Sequence, residues 1–403
     1  VGFLSLLCLS LFSQQAAEHV VVINIEVPVR VFQDGDFIDN LSIDDFEILE
    51  DDIPQKIEAV YLIKNRTVER SEEKKRFVPS TERFFYLFFE ISEYTSEIGK
   101  AVDYFHENVL VPNDNLVIVT PMNTYRLRKR VLEVQSRKDL SEQLKTLLRK
   151  EALIGNAEYR GAIQDLTGLA RSLSSHSPGG AGNETARLDE YTLSGYGRMP
   201  FEKQLMKYLN TLERIRKLRR VDQKKLLEFA KVLRNENGQK YVYMIYQREY
   251  IPQIEPSILN KYMAYYQDKP HILRGLYDMT ETSRRDISFD LGLVKQAYAD
   301  SSISIHFLFM TPAIDHVQGV YFQERSEDIY GAFREMANAT GGFVDSSANL
   351  ASSFKRAVDA AENYYLLYYS PQKYEKDGRF KQIKVRVRDR DYSVTHRMGY
   401  FSN

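Results

Sequence analysis

The sequence predicts an α/β protein, with a doubly wound domain over about residues 82–362 flanked at both chain ends by β segments. Three observations carry this expectation. The run FFYLFF (Phe84–Phe89) is apolar on both faces, as a strand covered by helices on two sides must be. Strands of this kind alternate with stretches of helical period through the middle of the chain. Before residue 65 and after residue 363 the pattern becomes an alternation of apolar and polar residues, the mark of strands with one wet face.

Taken in order, the chain opens with an uncharged apolar run, Gly2–Phe12. It is too short to span a bilayer as a helix. With small residues Ser13, Ala16 and Ala17 after it, it predicts a secretory leader over residues 1–17. VVINIEVPVRVF follows, with Ile23, Ile25, Val27, Val29 and Val31 on one face and Asn24, Glu26, Pro28 and Arg30 on the other. Pro28 has no N–H to donate, which predicts an edge strand or a bulge. Two further strands surround an acidic turn at Asp51 and Asp52, completing a β segment over 18–65, and the polar stretch 66–81 reads as a linker.

Phe84–Ile91 is then the first buried strand, Ser96–Leu110 a helix, and Asn115–Thr120 the second strand. Residues 125–134 read as a strand or hairpin arm, with helices at about 138–150 and 157–174. Ser174–Thr185 has the composition of a flexible loop. A basic helical insertion at about 175–236 splits near Val221. Strands at Gln239–Tyr246 and Ser302–Met310 bracket a helix near 285–300. DIYGAFREMANATGG is a helix stopped by glycine, and SSFKRAVDAAEN is the last helix. Three strands fill 363–403. The two terminal β segments are each small for independent stability, so they are expected to pack together as one sandwich.

Composition narrows the function classes. The chain has 403 residues, 43% of them hydrophobic and 12% aromatic, which is folded rather than disordered material. Its formal charge of −1 supplies no global field for nucleic acid or a membrane surface. Cys8 is the only cysteine and lies in the expected leader, so disulfides and thiolate chemistry are not expected in the mature protein. No phosphate loop, nucleophile elbow or dinucleotide fingerprint occurs, and the seven histidines are scattered. His306, inside an apolar strand, reads as a core residue. These readings predict a secreted or periplasmic protein, not an enzyme, with a protein partner, no nucleic acid, and no membrane span once the leader is removed.

Four stretches carry a resemblance: VPVRVFQDGDFIDNLSIDDFEILEDDIPQKI, YLFFEIS, REMANATGGFV, and the tyrosine-rich end from Tyr364 to Phe401. In that order they resemble the bacterial von Willebrand factor A-related proteins typed from acidobacteria. The resemblance implies a von Willebrand A-like α/β domain. Such domains hold Mg²⁺ or a similar ion through Asp-x-Ser-x-Ser after the first strand, joined by a Thr and an Asp from two other loops.

Carried over residue by residue, the first Asp falls on Glu90, the first Ser on Ser92 and the second Ser on Tyr94. The Thr falls on Ala157 and the loop Asp on Gln247. A near-octahedral oxygen shell needs more than one hydroxyl and one lengthened carboxylate. The expectation is therefore a degenerate metal site and no cofactor, with weak Mg²⁺, Mn²⁺ or Ca²⁺ binding at Glu90 and Ser92 as the alternative. An envelope enzyme with an unrecognised site is a further alternative. Arg160 or Arg248 is expected to supply a charge partner to Glu90. Tyr250, Tyr262, Tyr265 and Tyr266 are candidates for a binding surface, because tyrosine offers area and a polar tip at low entropy cost. The basic helix Leu212–Arg234 carries an apolar stripe and interspersed acids, so an amphipathic helix with a solvated basic face is favoured over a phosphate or membrane contact.

Overall fold

The computed structural model describes residues 23–65, 67–80, 82–127, 129–175, 196, 199–219, 221–236, 238–281, 289–301, 303–314, 316–346, 349–388 and 391–403. The expected leader and most of the expected Ser174–Thr185 loop lie outside them. The protein is a mixed α/β structure with several sheets.

The first segment forms β1 (Ile25–Gln33), β2 (Asp36–Phe37), β3 (Phe46–Glu50), β4 (Ile53–Gln55), β5 (Ile57–Lys64) and β6 (Thr67–Glu73). Asp51 and Asp52 both have positive φ, the geometry of a tight hairpin turn between β3 and β4. The expected linker is in part β6, which pairs with β5. Its side chains are mostly polar and exposed, so alternation could not reveal it.

The middle of the chain contributes β7 (Arg83–Glu90), α1 (Ser96–Tyr104), β8 (Asn115–Val119), β9 (Thr124–Leu127), α2 (Lys129–Val134), α3 (Arg137–Gly155) and α4 (Ala157–Ser175). It continues with α5 (Phe201–Leu218), α6 (Gln223–Arg234), β10 (Gln239–Gln247), β11 (Tyr250–Ile254), α7 (Pro256–Tyr265) and α8 (Pro270–Glu281). Then come α9 (Leu291–Asp300), β12 (Ile303–Met310), β13 (Val320–Glu324), α10 (Glu327–Ala339), β14 (Val344–Asp345) and α11 (Leu350–Glu362). The chain ends with β15 (Asn363–Tyr369), β16 (Phe380–Val387), β17 (Ser393–His396) and β18 (Gly399–Phe401).

The central sheet has the order β14-β12-β10-β7-β8-β9, parallel throughout except for β9. Both faces of β7 are covered, which is why it reads as one apolar run. Phe85, Leu87 and Phe89 enter a core with α1, α3 and α11, while Tyr86 enters the opposite core with α6, α9 and α10. The strand order reverses between β7 and β10, so the crevice at their carboxyl ends is where open α/β sheets place ligands.

A third core departs from the expected organisation. Leu166, Leu173, Leu205, Tyr208, Ile254, Tyr262 and Leu276 draw α4, α5, α7, α8, β11 and β13 into one module. Within it, β11 follows the carboxyl end of β10 and β13 follows that of β12. The expected insertion at 175–236 and this core do not coincide. The module starts at α4 and takes in 250–281, while α6 leaves it and packs Ala230 and Leu233 onto the sheet. The basic residues of α5 and α6 are widely paired with acids, as in Arg214–Glu158 at 3.1 Å and Arg234–Asp300 at 3.1 Å. Amphipathicity is present, but it belongs to two helices serving two cores.

Strands from the two chain ends interleave. β15 lies between β1 and β5, and β16 pairs with β3, giving two sheets that enclose Val27, Val29, Val31, Phe46, Ile48, Tyr365 and Val385. Buried tyrosines tie the sheets together by their hydroxyls. Tyr369 and Tyr400 both donate to the Glu50 carboxylate, at 2.7 and 3.0 Å. β1 is not an edge strand, since β17 flanks it on the other side. That pairing starts only at Val29, one residue past Pro28, so the missing N–H interrupts no bond there.

Arg30 was expected on the wet face of β1 and is instead buried. The α/β part covers that face. Arg30 Nη1 donates to the Gly341 carbonyl at 3.2 Å and Nη2 to Ser304 Oγ at 3.1 Å. Gly341, at positive φ, lies just past the end of α10, and Thr340 between them is bridged to Arg397 in the C-terminal segment.

His306 sits beside this interface, stacked on Tyr243 at 4.9 Å, with neither ring nitrogen bonded among the described residues. Burial pushes its pKa down from 6.5 to about 3, and the Arg30 charge adds to the shift. The unfolded chain binds a proton in that window that the folded protein refuses. Stability from the neutral ring is therefore complete above pH 6.5 and lost as pH falls towards 3. The expected slope is ~1.4 kcal/mol per pH unit. His306→Gln should flatten the acid limb of a plot of urea midpoint against pH. His106 and His396, also pushed down by burial, would keep part of the slope. An unchanged slope would clear His306 of this role.

Candidate functional site

The carboxyl ends of β7 and β10 meet in register, with Glu90 opposite Tyr246. The next residues on each strand then face one another. Gln247 is buried, and its Oε1 accepts from Ser92 N at 2.8 Å, Ser92 Oγ at 3.0 Å and Glu93 N at 3.0 Å. Three donors converging on one oxygen fix the orientation of the amide. Its Nε2 is buried with no partner among the described residues, as is Thr95 Oγ1 at the start of α1.

Other candidates gather around this contact. Asn156 Nδ2 donates to the Ile91 carbonyl at 2.8 Å and so brings the start of α4, Ala157, to the end of β7. Ala157 is exposed and offers no side-chain oxygen. The Tyr94 ring turns away into the α1–α3 contact, with the Arg149 guanidinium 4.7 Å above it. Desolvation pushes its phenol pKa up.

Glu90 stands at the rim. Dense protein around the carboxyl pushes its pKa up and the Lys225 charge opposes that shift. The residue as a whole is exposed, so the surrounding protein crowds the carboxyl without enclosing the side chain. Neither expected arginine is its partner. Arg248 Nη1 binds both oxygens of the Glu324 carboxylate at 2.8 Å, and Arg160 donates to the Leu153 carbonyl. A nearer acid on β13, a strand the sequence did not reveal, takes Arg248.

These residues do not fit a divalent cation. Mg²⁺ needs oxygen lone pairs directed at one point. Here two N–H groups and a hydroxyl are directed at the Gln247 carbonyl oxygen, an arrangement that suits an acceptor and repels a cation. The described residues contain no cluster of three or more His, Cys, Asp or Glu side chains able to hold a metal.

The module over this edge is held by charge and hydrogen bonds. Arg219 pairs with Glu249, and Tyr246 Oη donates to the same carboxylate at 2.5 Å. Glu249 N donates to Ser326 Oγ at 2.9 Å, and Arg325 N to the Glu249 carbonyl at 2.9 Å. Of the four tyrosines expected to form a surface, Tyr262 and Tyr266 are buried in the module core, Tyr250 is half-buried in β11, and Tyr265 is exposed. Stacking of Tyr266 on Phe201, centroids 4.9 Å apart, explains the burial. Exposed apolar side chains do stand beside the site. Met122 follows β8, and Leu153 and Ile154 end α3, with Gly155 packed against Pro121 and Met122. No helix among the described residues is long and apolar enough to cross a membrane.

No family model and no curated protein matches the chain. Among solved structures it is similar to the human COPII-coat protein Sec24c, at 7% identity and a TM-score of 0.24, over 81% of this chain and 44% of that one. The chain thus spans less than half of that protein, and so slight a likeness carries no argument about fold or function.

Proposed function

We propose that this protein is a secreted or periplasmic interaction module of the von Willebrand A-like, doubly wound kind, and that it binds protein partners without a metal ion and without catalysis. The observation that carries this reading is the buried Gln247 carboxamide, whose oxygen takes up the donors of Ser92 and Glu93. The apolar Met122, Leu153 and Ile154 beside it support contact with a protein rather than a small ion.

Thermal unfolding of the protein in EDTA, then in millimolar Mg²⁺, Mn²⁺ or Ca²⁺, tests this. The midpoint is expected to stay fixed with every ion. A ligand present at about 100 times its dissociation constant would add ~2.7 kcal/mol. A midpoint that rises with an ion, and stops rising in Glu90→Ala, would establish metal-dependent adhesion instead.

A further inference from the structure

Among the described residues, the two-stranded sheet of the capping module has one covered edge and one edge with no pairing strand. In the β11–β13 register, Ile254 faces Val320 and Tyr250 faces Glu324. The bonds just beyond this ladder are Glu255 N to the Gly319 carbonyl at 3.3 Å and Arg325 N to the Glu249 carbonyl at 2.9 Å. Hydrogen-bonded pairs alternate along an antiparallel ladder. Gly319 and Arg325 therefore set the phase, and Tyr321 and Gln323 also turn their backbone groups towards β11. Val320, Phe322 and Glu324 turn theirs outward. Val320 N is taken by the Val317 carbonyl at 3.1 Å. The N–H groups of Phe322 and Glu324 and the carbonyls of all three residues have no partner among the described residues.

The β11 edge is managed differently. Pro252 has no N–H, and its outward carbonyl accepts from the buried Tyr208 hydroxyl at 2.9 Å. Proline and a covering helix are the usual protections of a strand edge. β13 has no proline and no lysine.

An open cleft of about 520 Å³ borders β13, lined by Val320, Tyr321, Phe322, Ile314 and Val317, with Glu255 at the start of α7. Successive strand residues point to opposite faces, so a cleft reaching three in succession runs along the strand's edge. Ile314 and Tyr321 are 42% and 49% exposed there. Outward donors and acceptors at two-residue spacing, beside apolar walls, are what an added strand satisfies. Glu255 and His316 are the ionisable residues lining the cleft, and the Glu255 carboxylate favours a positive charge on an occupant.

We propose that the free edge of β13 and its cleft form a strand-addition site for an extended peptide segment of a partner protein, apolar at alternate positions and carrying a basic residue that meets Glu255. The site extends the interaction reading to a second surface, and it stands whether or not the carboxyl edge of the central sheet binds a metal.

The test selects a phage-displayed library of random 12-residue linear peptides on the intact protein, then synthesises an enriched sequence. The expected motif alternates apolar residues with a Lys or Arg at one end. Backbone N-methylation at one alternate set of peptide residues should abolish binding, while methylation of the other set should leave it within about twofold. Ile314→Glu, at an exposed position, should weaken binding at least tenfold. Amide exchange at Phe322 and Glu324 should slow at least tenfold in the complex. An absence of enriched peptides, or equal tolerance of both N-methylated sets, would overturn the proposal. So would a concentration-dependent dimer of the free protein protecting the same two amides, since a second copy of the chain would then own the edge.

Discussion

Gly342→Ala is expected to be the most damaging single-methyl substitution in the protein, with a loss of ~3 kcal/mol or more. A Cβ built at Gly342 would lie 1.8 Å from the Ile305 carbonyl oxygen and 2.6 Å from its carbonyl carbon. Ile305 belongs to β12, inside the central sheet and paired with β10, so that carbonyl has no room to retreat. The glycine cannot swing outward either. Gly342 N is held by the Ala337 carbonyl at 2.8 Å, and the Phe343 carbonyl by Phe307 N at 2.9 Å. Gly331→Ala, in α10, meets nothing within 4 Å and should be neutral or gain up to ~1 kcal/mol from helix propensity. Urea midpoints of the two variants against the parent check both statements. A Gly342→Ala midpoint within error of the parent would mean that the end of α10 relaxes without disturbing the sheet.

Asp114→Ala is expected to cost ~3 kcal/mol, because it removes the two-pronged partner of a buried cation and leaves Glu362 as its remaining acid. Arg83, at the start of β7, is clamped by Asp114 through Nε at 3.1 Å and Nη2 at 2.8 Å, and Asp114 is fully buried. Arg83 also donates to the Val109 carbonyl at 2.9 Å and to Glu362 at 3.2 Å. Desolvation alone would lower the pKa of its guanidinium, but the Asp114 bond and charge outweigh it and leave the group above its usual value. Asp114 further accepts from Val111 N at 2.9 Å, so the substitution also frees the loop entering β8. Replacing both partners, as Arg83→Met with Asp114→Ala, should be milder than the sum of the single changes, since no unpaired charge remains between them. Denaturant unfolding of the three variants decides the matter. Strictly additive losses would show that the pair is not coupled.

Much of the fold was legible in local pattern. β7, β10 and β12 read as strands because helices cover both their faces. The terminal segments read as strands because one face of each is apolar, as with Val27, Val29 and Val31. The Ala-Thr-Gly-Gly stop of α10 was legible as a helix end. What it also does, anchoring Arg30 and the Arg397 segment, was not.

The capping module was largely hidden. β11 and β13 have five residues each, too few for alternation to register, and no element is expected from the sequence over 250–281. Missing β13 meant missing Glu324, and so Arg248 was assigned to the wrong acid. Tyr262 and Tyr266 suit a surface or a core equally by residue type, and the arrival of Phe201 from α5 buries them.

Local pattern in the sequence places the long buried strands and most of the amphipathic helices, shows which of their faces are apolar, and puts a carboxylate, a hydroxyl and an amide at Glu90, Ser92 and Gln247. Those are short-range properties, written in periodicity and side-chain chemistry. The contact of Gln247 with Ser92 across 155 positions, the second layer that buries Arg30, and the edge of β13 left without a pairing strand among the described residues belong to the tertiary structure. Each of these depends on which distant segment arrives to cover a group, and a local pattern carries no record of that neighbour.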